Sequence, residues 1–108
     1  MYISIEDFYE QAKICKRISR EEEIEVAKLW KSGNEEARTR LIEGYLFAVA
    51  GHIRKMPEQF QTLGLVYYCM QALEKAVDSF NFLQESETFL HRLSWHLRQA
   101  STRYIADN

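Results

Sequence analysis

The predicted last helix, about residues 87 to 105, carries on one face the side chains of the sequence best suited to bind nucleic acid. At about 100° per residue, Trp95 lies near the centre of an outward arc, and no acidic residue occurs from Thr88 to Ala106. An exposed indole can stack a base at roughly 1 to 3 kcal/mol, while guanidinium groups neutralise phosphates. The arc predicts a site for single-stranded nucleic acid. Its members are Thr88, His91, Arg92, Trp95, Arg98, Gln99 and Thr102, with His96 and Arg103 at one border.

A purely structural explanation of this arc is also compatible with the sequence. The N-terminal helix could cover Trp95, and the arginines could form an ordinary solvated face. The opposite side of the helix has the pattern of a core stripe. That stripe consists of Phe89, Leu90, Leu93, Leu97, Ala100 and Tyr104.

The preceding helix, about residues 63 to 80, is predicted to bury one face and to present two adjacent tyrosines on the other. Tyr67 and Tyr68 could anchor a protein partner, because tyrosine is enriched at the centres of interfaces. Alternatively, both rings lie flat over a neighbouring helix of the same chain. The outward residues are Gly64, Tyr67, Tyr68, Gln71, Glu74, Lys75 and Asp78.

The three histidines do not form a metal or catalytic motif. His91 and His96 are five residues apart rather than the four that places two ligands on one helix face, and His52 belongs to another helix. The carboxylates from Glu21 to Glu25 suit a first helical turn, where they complement the helix dipole. We therefore expect no enzyme, no catalytic residue, no metal or other cofactor and no small-molecule substrate.

Composition favours a single all-helical domain. The 108 residues include only four glycines and one proline, too few for the frequent turns of a sandwich or barrel. With 14 basic and 16 acidic residues, the net charge of −2 excludes a globally basic nucleic-acid coat.

No apolar stretch reaches the roughly 20 residues of a membrane span, and no signal peptide opens the chain. Cys15 and Cys69 stand apart, as is typical of reduced thiols. We expect a cytoplasmic protein with no membrane partner.

Capping patterns predict a compact bundle of about five helices. Ser4 begins a helix near 5 to 17, and Ser19 begins one of about 20 to 32, which ends at Gly33. A third helix starts after Asn34, runs through Ile53 and stops before Pro57. Thr62 begins the fourth, and a loop at 81 to 86 precedes the fifth.

Five ordered segments resemble domain two of primary-type bacterial RNA polymerase sigma factors, together with the helical region before it. Residues 19–28 (SREEEIEVAK) are similar to the family's T-x-E-E-E-I-E-L-A-K, and residues 32–38 (SGNEEAR) to its A-G-D-E-E-A-R. Residues 41–43 match L-I-E, and residues 72–80 (ALEKAVDSF) are similar to G-L-M-K-A-V-D-K-F. Residues 97–108 (LRQASTRYIADN) are similar to I-R-Q-A-I-T-R-x-I-A-D-Q.

This resemblance implies a transcription initiation module. In the family, the fourth helix docks on a coiled coil of the polymerase clamp, and the fifth opens promoter DNA and binds the non-template strand of the minus-ten element. The resemblance implies DNA contacts by Phe89, Trp95, Arg98, Gln99, Thr102 and Arg103, and the outward arc of the last helix adds Arg92 to this predicted DNA-binding set. The predicted polymerase-binding or partner-binding set takes Leu63 from the docking motif and Tyr67, Tyr68, Gln71 and Lys75 from the outward face of the fourth helix.

The sequence departs from the family pattern at both sets. The family's F-S-T-Y-A-T-W-W corresponds to residues 89–96 (FLHRLSWH), so Arg92 replaces the tyrosine that holds a flipped adenine and His96 replaces the second tryptophan. The docking motif L-D-L-I-Q-E-G-N corresponds to residues 63–70 (LGLVYYCM), which lack its acidic and amide contacts. Glu85 and Glu87, in the loop before the predicted last helix, would repel phosphates of the DNA. A degenerate sigma-like interaction module without DNA binding is therefore the alternative.

The resemblance also bears on domain organisation. We expect one domain over residues 1–108, with residues 1–18 forming an accessory N-terminal helix and no helix-turn-helix domain. The chain is then either a fragment of a longer protein or a module that takes its remaining promoter contacts from a partner.

Overall fold

The computed structural model describes residues 2–84 and 86–108, and within them the fold is all-α, as predicted. Six α-helices and one 3₁₀ turn are present in this part of the chain, which contains no strand. The α-helices are α1 Ile5–Ile14, α2 Arg20–Lys31, α3 Glu35–Gly44, α4 Leu46–Arg54, α5 Leu63–Ser79 and α6 Phe89–Asp107. The 3₁₀ turn, Glu58–Phe60, follows Pro57.

The helix starts that the sequence predicts are confirmed by their caps. The side chains of Ser4, Ser19, Asn34 and Thr62 each accept a hydrogen bond from the backbone N–H three residues later. Gly33 has a φ of +104°, the left-handed region that favours glycine after a helix. These starts are local features, so short stretches of sequence determine them.

The predicted third helix is wrong as one continuous element, because it is divided at Tyr45. This residue leaves the helical region with φ −115° and ψ 9°, and α4 begins directly after it. Its hydroxyl donates a hydrogen bond to the buried carboxylate of Glu23 on α2. The backbone just before it also passes close to Ile18, which would lie 2.7 Å from a Cβ at Gly44. Both contacts come from elsewhere in the fold, which explains why helical periodicity did not reveal the break.

The first helix is also shorter than predicted, ending at Ile14. Cys15 adopts an extended conformation, and the next two carbonyls accept hydrogen bonds from Arg40 on α3. The helix is not peripheral to the core, because Phe8 is completely buried. It packs against α4 and α5.

The core joins all six helices and contains an aromatic cluster. Phe89 contacts the rings of Tyr45, Phe80 and Phe82, with centroid separations of 4.6, 5.3 and 4.9 Å. Glu23 does more than complement the helix dipole in the first turn of α2, because its side chain is buried. Its buried carboxylate binds Tyr45 and pairs with Arg20 at 2.5 Å.

Helices α5 and α6 form an antiparallel pair that carries both predicted binding sets. At one end the hydroxyls of Thr62 and Tyr104 are hydrogen-bonded at 2.6 Å, and at the other the Phe80 ring contacts Phe89. Gly64 permits the close approach, because a Cβ there would lie 2.8 Å from the Tyr104 ring. The two helices are thus held in fixed register along their length.

A small polar cluster links the pair to α4 inside the bundle. His52 Nε2 lies 2.6 Å from Ser101 Oγ, and Ser101 also interacts with the thiol of Cys69. Burial raises the pKa of the Cys69 thiol to about 11, and both cysteines are free.

No helix in the described part of the chain is long and apolar enough to cross a membrane.

Candidate nucleic-acid interface

Trp95 is exposed on α6, so the alternative that the N-terminal helix covers it is wrong. Its side chain retains 55% of its accessible surface, and its ring meets the edge of His96 at 5.1 Å. Together with Glu87, His91 and Arg92, these two residues line a shallow cavity of about 390 Å³. An indole in this position offers a face for stacking.

The cations that follow Trp95 on α6 are exposed as well. Arg98 and Arg103 form no salt bridge with any residue of the described chain. Gln99 and Thr102 are exposed beside them, although the Thr102 hydroxyl donates to the carbonyl of Arg98. This end of the arc can therefore contact phosphates and base edges as the spacing predicts.

Arg92 has a different environment from the rest of the predicted set. Its Nη2 lies 2.7 Å from Glu87 Oε1, and its guanidinium carbon lies 5.5 Å from the centre of the Phe80 ring. The carboxylate of Glu87 already offsets its charge, so Arg92 attracts phosphate less strongly than Arg98. Glu85, the other acidic residue predicted to act in this loop, lies outside the described residues.

Phe89 requires a correction, because it is 1% exposed and lies in the aromatic core. It cannot contact DNA in this conformation. The helical periodicity placed it in the core stripe, and that assignment is confirmed. Leu90, which the same stripe included, is instead 43% exposed, since it lies at the edge of the face that α6 buries.

A groove between α5 and α6 brings members of the two predicted sets together. It has a volume of about 730 Å³. From α5 it is lined by Tyr68, Gln71, Ala72 and Lys75, and from α6 by His96, Gln99, Ala100, Thr102, Arg103, Ala106 and Asp107. His96 lines both this groove and the cavity at Trp95, so the two form one continuous surface.

The two tyrosines of α5 have separate roles. Tyr68 packs edge-on against Tyr104 at 5.2 Å and donates a hydrogen bond to Asp107 at 2.7 Å. It therefore contacts the neighbouring helix, but with its edge, whereas the alternative interpretation had both tyrosine rings lying flat. Tyr67 is 44% exposed. Leu63 is half-buried at the start of α5, whereas Gln71 and Lys75 are exposed. Tyr67 is thus the tyrosine of this helix that is better placed to meet a partner.

His96 has an electrostatic environment that favours its neutral form. Burial lowers its pKa, and the cations Arg92 and Lys75 lower it further. A phosphate close to the ring would oppose this effect and favour the protonated form. Sequence reasoning placed His96 only at the border of the arc, because its position between two cavities depends on how α5 packs against α6.

No known protein-family model matches the sequence. Within the part of the chain that the structure describes, no three His, Cys, Asp or Glu side chains are grouped to hold a metal ion. The assignment of the surface therefore depends on its own geometry.

Ala106 and Asp107 line the groove but are not among the residues that the sequence predicts for either site. Only the packing of α6 against Tyr68 shows that they belong to the groove.

Proposed function

We propose that this chain is a sigma-factor-like transcription initiation module that binds single-stranded, minus-ten-type promoter DNA through α6. The observation that carries the proposal is the exposed indole of Trp95, followed along the helix by Arg98 and Arg103, which are exposed and form no salt bridge within residues 2–84 and 86–108. Stacking on an exposed ring combined with phosphate neutralisation is the usual chemistry of single-strand binding. The resemblance of residues 19–108 to sigma factors gives the promoter strand as the target.

In this proposal α5 provides the contact with the polymerase core, through its clamp coiled coil, or with a related protein. Tyr67, Gln71 and Lys75 follow one another at four-residue spacing and are all exposed, so they form a ridge along the helix. The ridge carries an aromatic, an amide and a cationic group. A partner with acidic and apolar side chains would complement it.

DNA binding is tested by fluorescence anisotropy with a labelled single-stranded oligonucleotide of minus-ten type, using a scrambled oligonucleotide for specificity. Loss of one stacked base costs about 1 to 3 kcal/mol, so Trp95→Ala should weaken binding about 5- to 150-fold. Arg98→Ala should also weaken binding and reduce its dependence on salt, by roughly 0.7 in the logarithmic slope. Leu29→Ala is the matched control, because it shortens a side chain of α2 with a similar exposed fraction, 51%.

If Trp95→Ala and Arg98→Ala both bind the oligonucleotide as the unchanged protein does, α6 is not the DNA site. A second readout locates the contact directly. Trp30→Phe leaves Trp95 as the one tryptophan of the chain, and its fluorescence should then be quenched as bases stack on it. Unchanged fluorescence on addition of saturating DNA would contradict stacking at this position.

A second candidate function, a sigma-like protein-interaction module without DNA binding, is favoured by the pairing of Arg92 with Glu87. That pairing reduces the positive charge at the Trp95 cavity, while Tyr67 remains exposed. Co-purification with core RNA polymerase separates the two functions. Recovery of polymerase that is lost in Tyr67→Ala and kept in Leu29→Ala supports the initiation module, whereas capture of a different protein through Tyr67, with no DNA binding, supports the alternative.

A further inference from the structure

A basic cleft lies on a part of the molecule that the proposed function does not use. It has a volume of about 540 Å³ and forms where α1 and the segment after it meet α4. Four of its lining side chains are cationic, and none is acidic: Lys13, Lys16, Arg17 and Arg54. The rest of its lining includes the rings of Tyr9 and Phe47.

Both arginines of the cleft are held in place by aromatic rings. The guanidinium carbon of Arg17 lies 4.1 Å from the centre of Phe47, and that of Arg54 lies 4.4 Å from the centre of Tyr9. A cation above a ring is attracted to the ring face, and each guanidinium keeps five N–H groups that can donate hydrogen bonds. The Tyr9 hydroxyl donates to Gln61 at 2.8 Å, which fixes the ring beneath Arg54.

The backbone that carries Lys16 and Arg17 is also held in position. Arg40 donates to the carbonyl oxygen of Lys16 at 2.9 Å and to that of Arg17 at 3.4 Å. Arg40 itself forms two hydrogen bonds with Glu22, at 2.8 and 3.0 Å. A segment outside any helix is therefore constrained so that its cations reach the cleft.

The positive charge of the cleft is not neutralised within the described residues. None of the four cations forms a salt bridge there. Glu22 interacts electrostatically with Lys16, Glu6 with Tyr9 and Glu43 with Cys15, and none of these three carboxylates lines the cleft. Since the whole chain has a net charge of −2, this concentration of cations is a local feature.

We propose that this cleft binds an oligophosphate, either free or as the phosphate chain of a nucleotide. Four cations around one cavity match the three to four negative charges of such an anion. The volume lies in the range of about 300 to 1,000 Å³ that is typical of small-molecule sites. The two stacked guanidinium groups supply planar, forked donors suited to phosphate oxygens, and the two lysines add point charges.

The test is isothermal titration calorimetry of the full chain with inorganic tripolyphosphate at low salt. The unchanged protein should bind it, and the double variant Lys13→Ala with Lys16→Ala should bind at least about tenfold more weakly. The matched control is Lys28→Ala with Lys31→Ala. It removes the same two charges at the same spacing, but from exposed positions of α2 outside the cleft, and it should bind as the unchanged protein does.

ATP provides a second titration that identifies the source of the phosphates. Equal affinity for ATP and tripolyphosphate supports recognition of the phosphate chain alone, and tighter binding of ATP supports a nucleotide. Absence of binding to both, or an equal loss of affinity in the control variant, would overturn the proposal. The Trp95→Ala variant should bind tripolyphosphate normally, so the result is independent of the DNA proposal.

Discussion

Replacement of Phe89 tests whether this residue is part of the core or of the DNA-binding surface. Its burial predicts a loss of stability, whereas the resemblance to sigma factors predicts a loss of DNA binding. The ring is 1% exposed and contacts three other aromatic rings. Truncation of a buried phenylalanine to alanine costs about 3 to 5 kcal/mol. A domain of this size has a total stability of about 5 to 15 kcal/mol, so Phe89→Ala should remove a large share of it.

The free energy of unfolding is measured by urea titration followed by far-ultraviolet circular dichroism. Phe89→Ala should strongly lower the urea concentration at the midpoint of unfolding. In a thermal melt, the melting temperature should fall by roughly 4 to 8 °C for each kcal/mol of stability that is lost. Leu90→Ala, at the neighbouring but 43% exposed position, is the control and should cost less than about 1 kcal/mol.

DNA binding is measured on Phe89→Leu, which retains an apolar side chain and should remain folded. Its affinity for the single-stranded oligonucleotide should stay within about twofold of the unchanged protein, because the buried ring touches no ligand. The reasoning is refuted if Phe89→Ala costs less than about 1 kcal/mol of stability and Phe89→Leu weakens DNA binding as much as Trp95→Ala does.

Two further predictions concern polar side chains, the half-buried His52 and the buried Tyr45. Burial, then Lys55 and Arg98, lower the pKa of His52 below its ordinary 6.5, so the unfolded chain binds more protons and the free energy of unfolding should fall as the pH drops below about 6.5. Urea titrations at pH 7.5 and 5.5 should show a smaller decrease for His52→Gln, and an unchanged decrease would contradict the assignment. Tyr45→Phe keeps the ring but removes a hydrogen bond to the buried carboxylate of Glu23, so it should cost about 1 to 3 kcal/mol in a urea titration at pH 7. A cost below about 0.5 kcal/mol would show that Arg20 alone satisfies this carboxylate.

The sequence predicts the parts of the fold that depend on neighbouring residues. Ser19 and Asn34 act as helix caps because their side chains bind N–H groups only three residues away. The break at Tyr45 depends instead on Glu23, which is 22 residues distant. Helical periodicity carries no information about such a contact, so the sequence pattern predicts one continuous helix through Tyr45.

The candidate site shows the same limit. The outward angle of Trp95 on α6 can be read from the sequence, whereas its exposure also depends on α1 packing elsewhere, against α4 and α5. The basic cleft could not be predicted in this way, because Arg54 lies far along the chain from Lys13 and Lys16 and meets them only through the packing of α1 on α4. The sequence does show three cations close together, at positions 13, 16 and 17, but it does not indicate that Arg54 joins them.

The antiparallel pairing of α5 and α6 changes how the two predicted binding sets should be interpreted. Each helix taken separately presents one outward face, which suggests a partner site on α5 and a DNA site on α6. In the folded chain Lys75 and Arg103 line the same groove, and His96 connects it to Trp95. A strand that extends from the indole into the groove would meet cations from both helices. The positive charge available to DNA therefore includes Lys75, which periodicity alone assigns to a protein partner. The two sites overlap on α5 at Gln71 and Lys75, which line the groove and also belong to the ridge that begins at Tyr67.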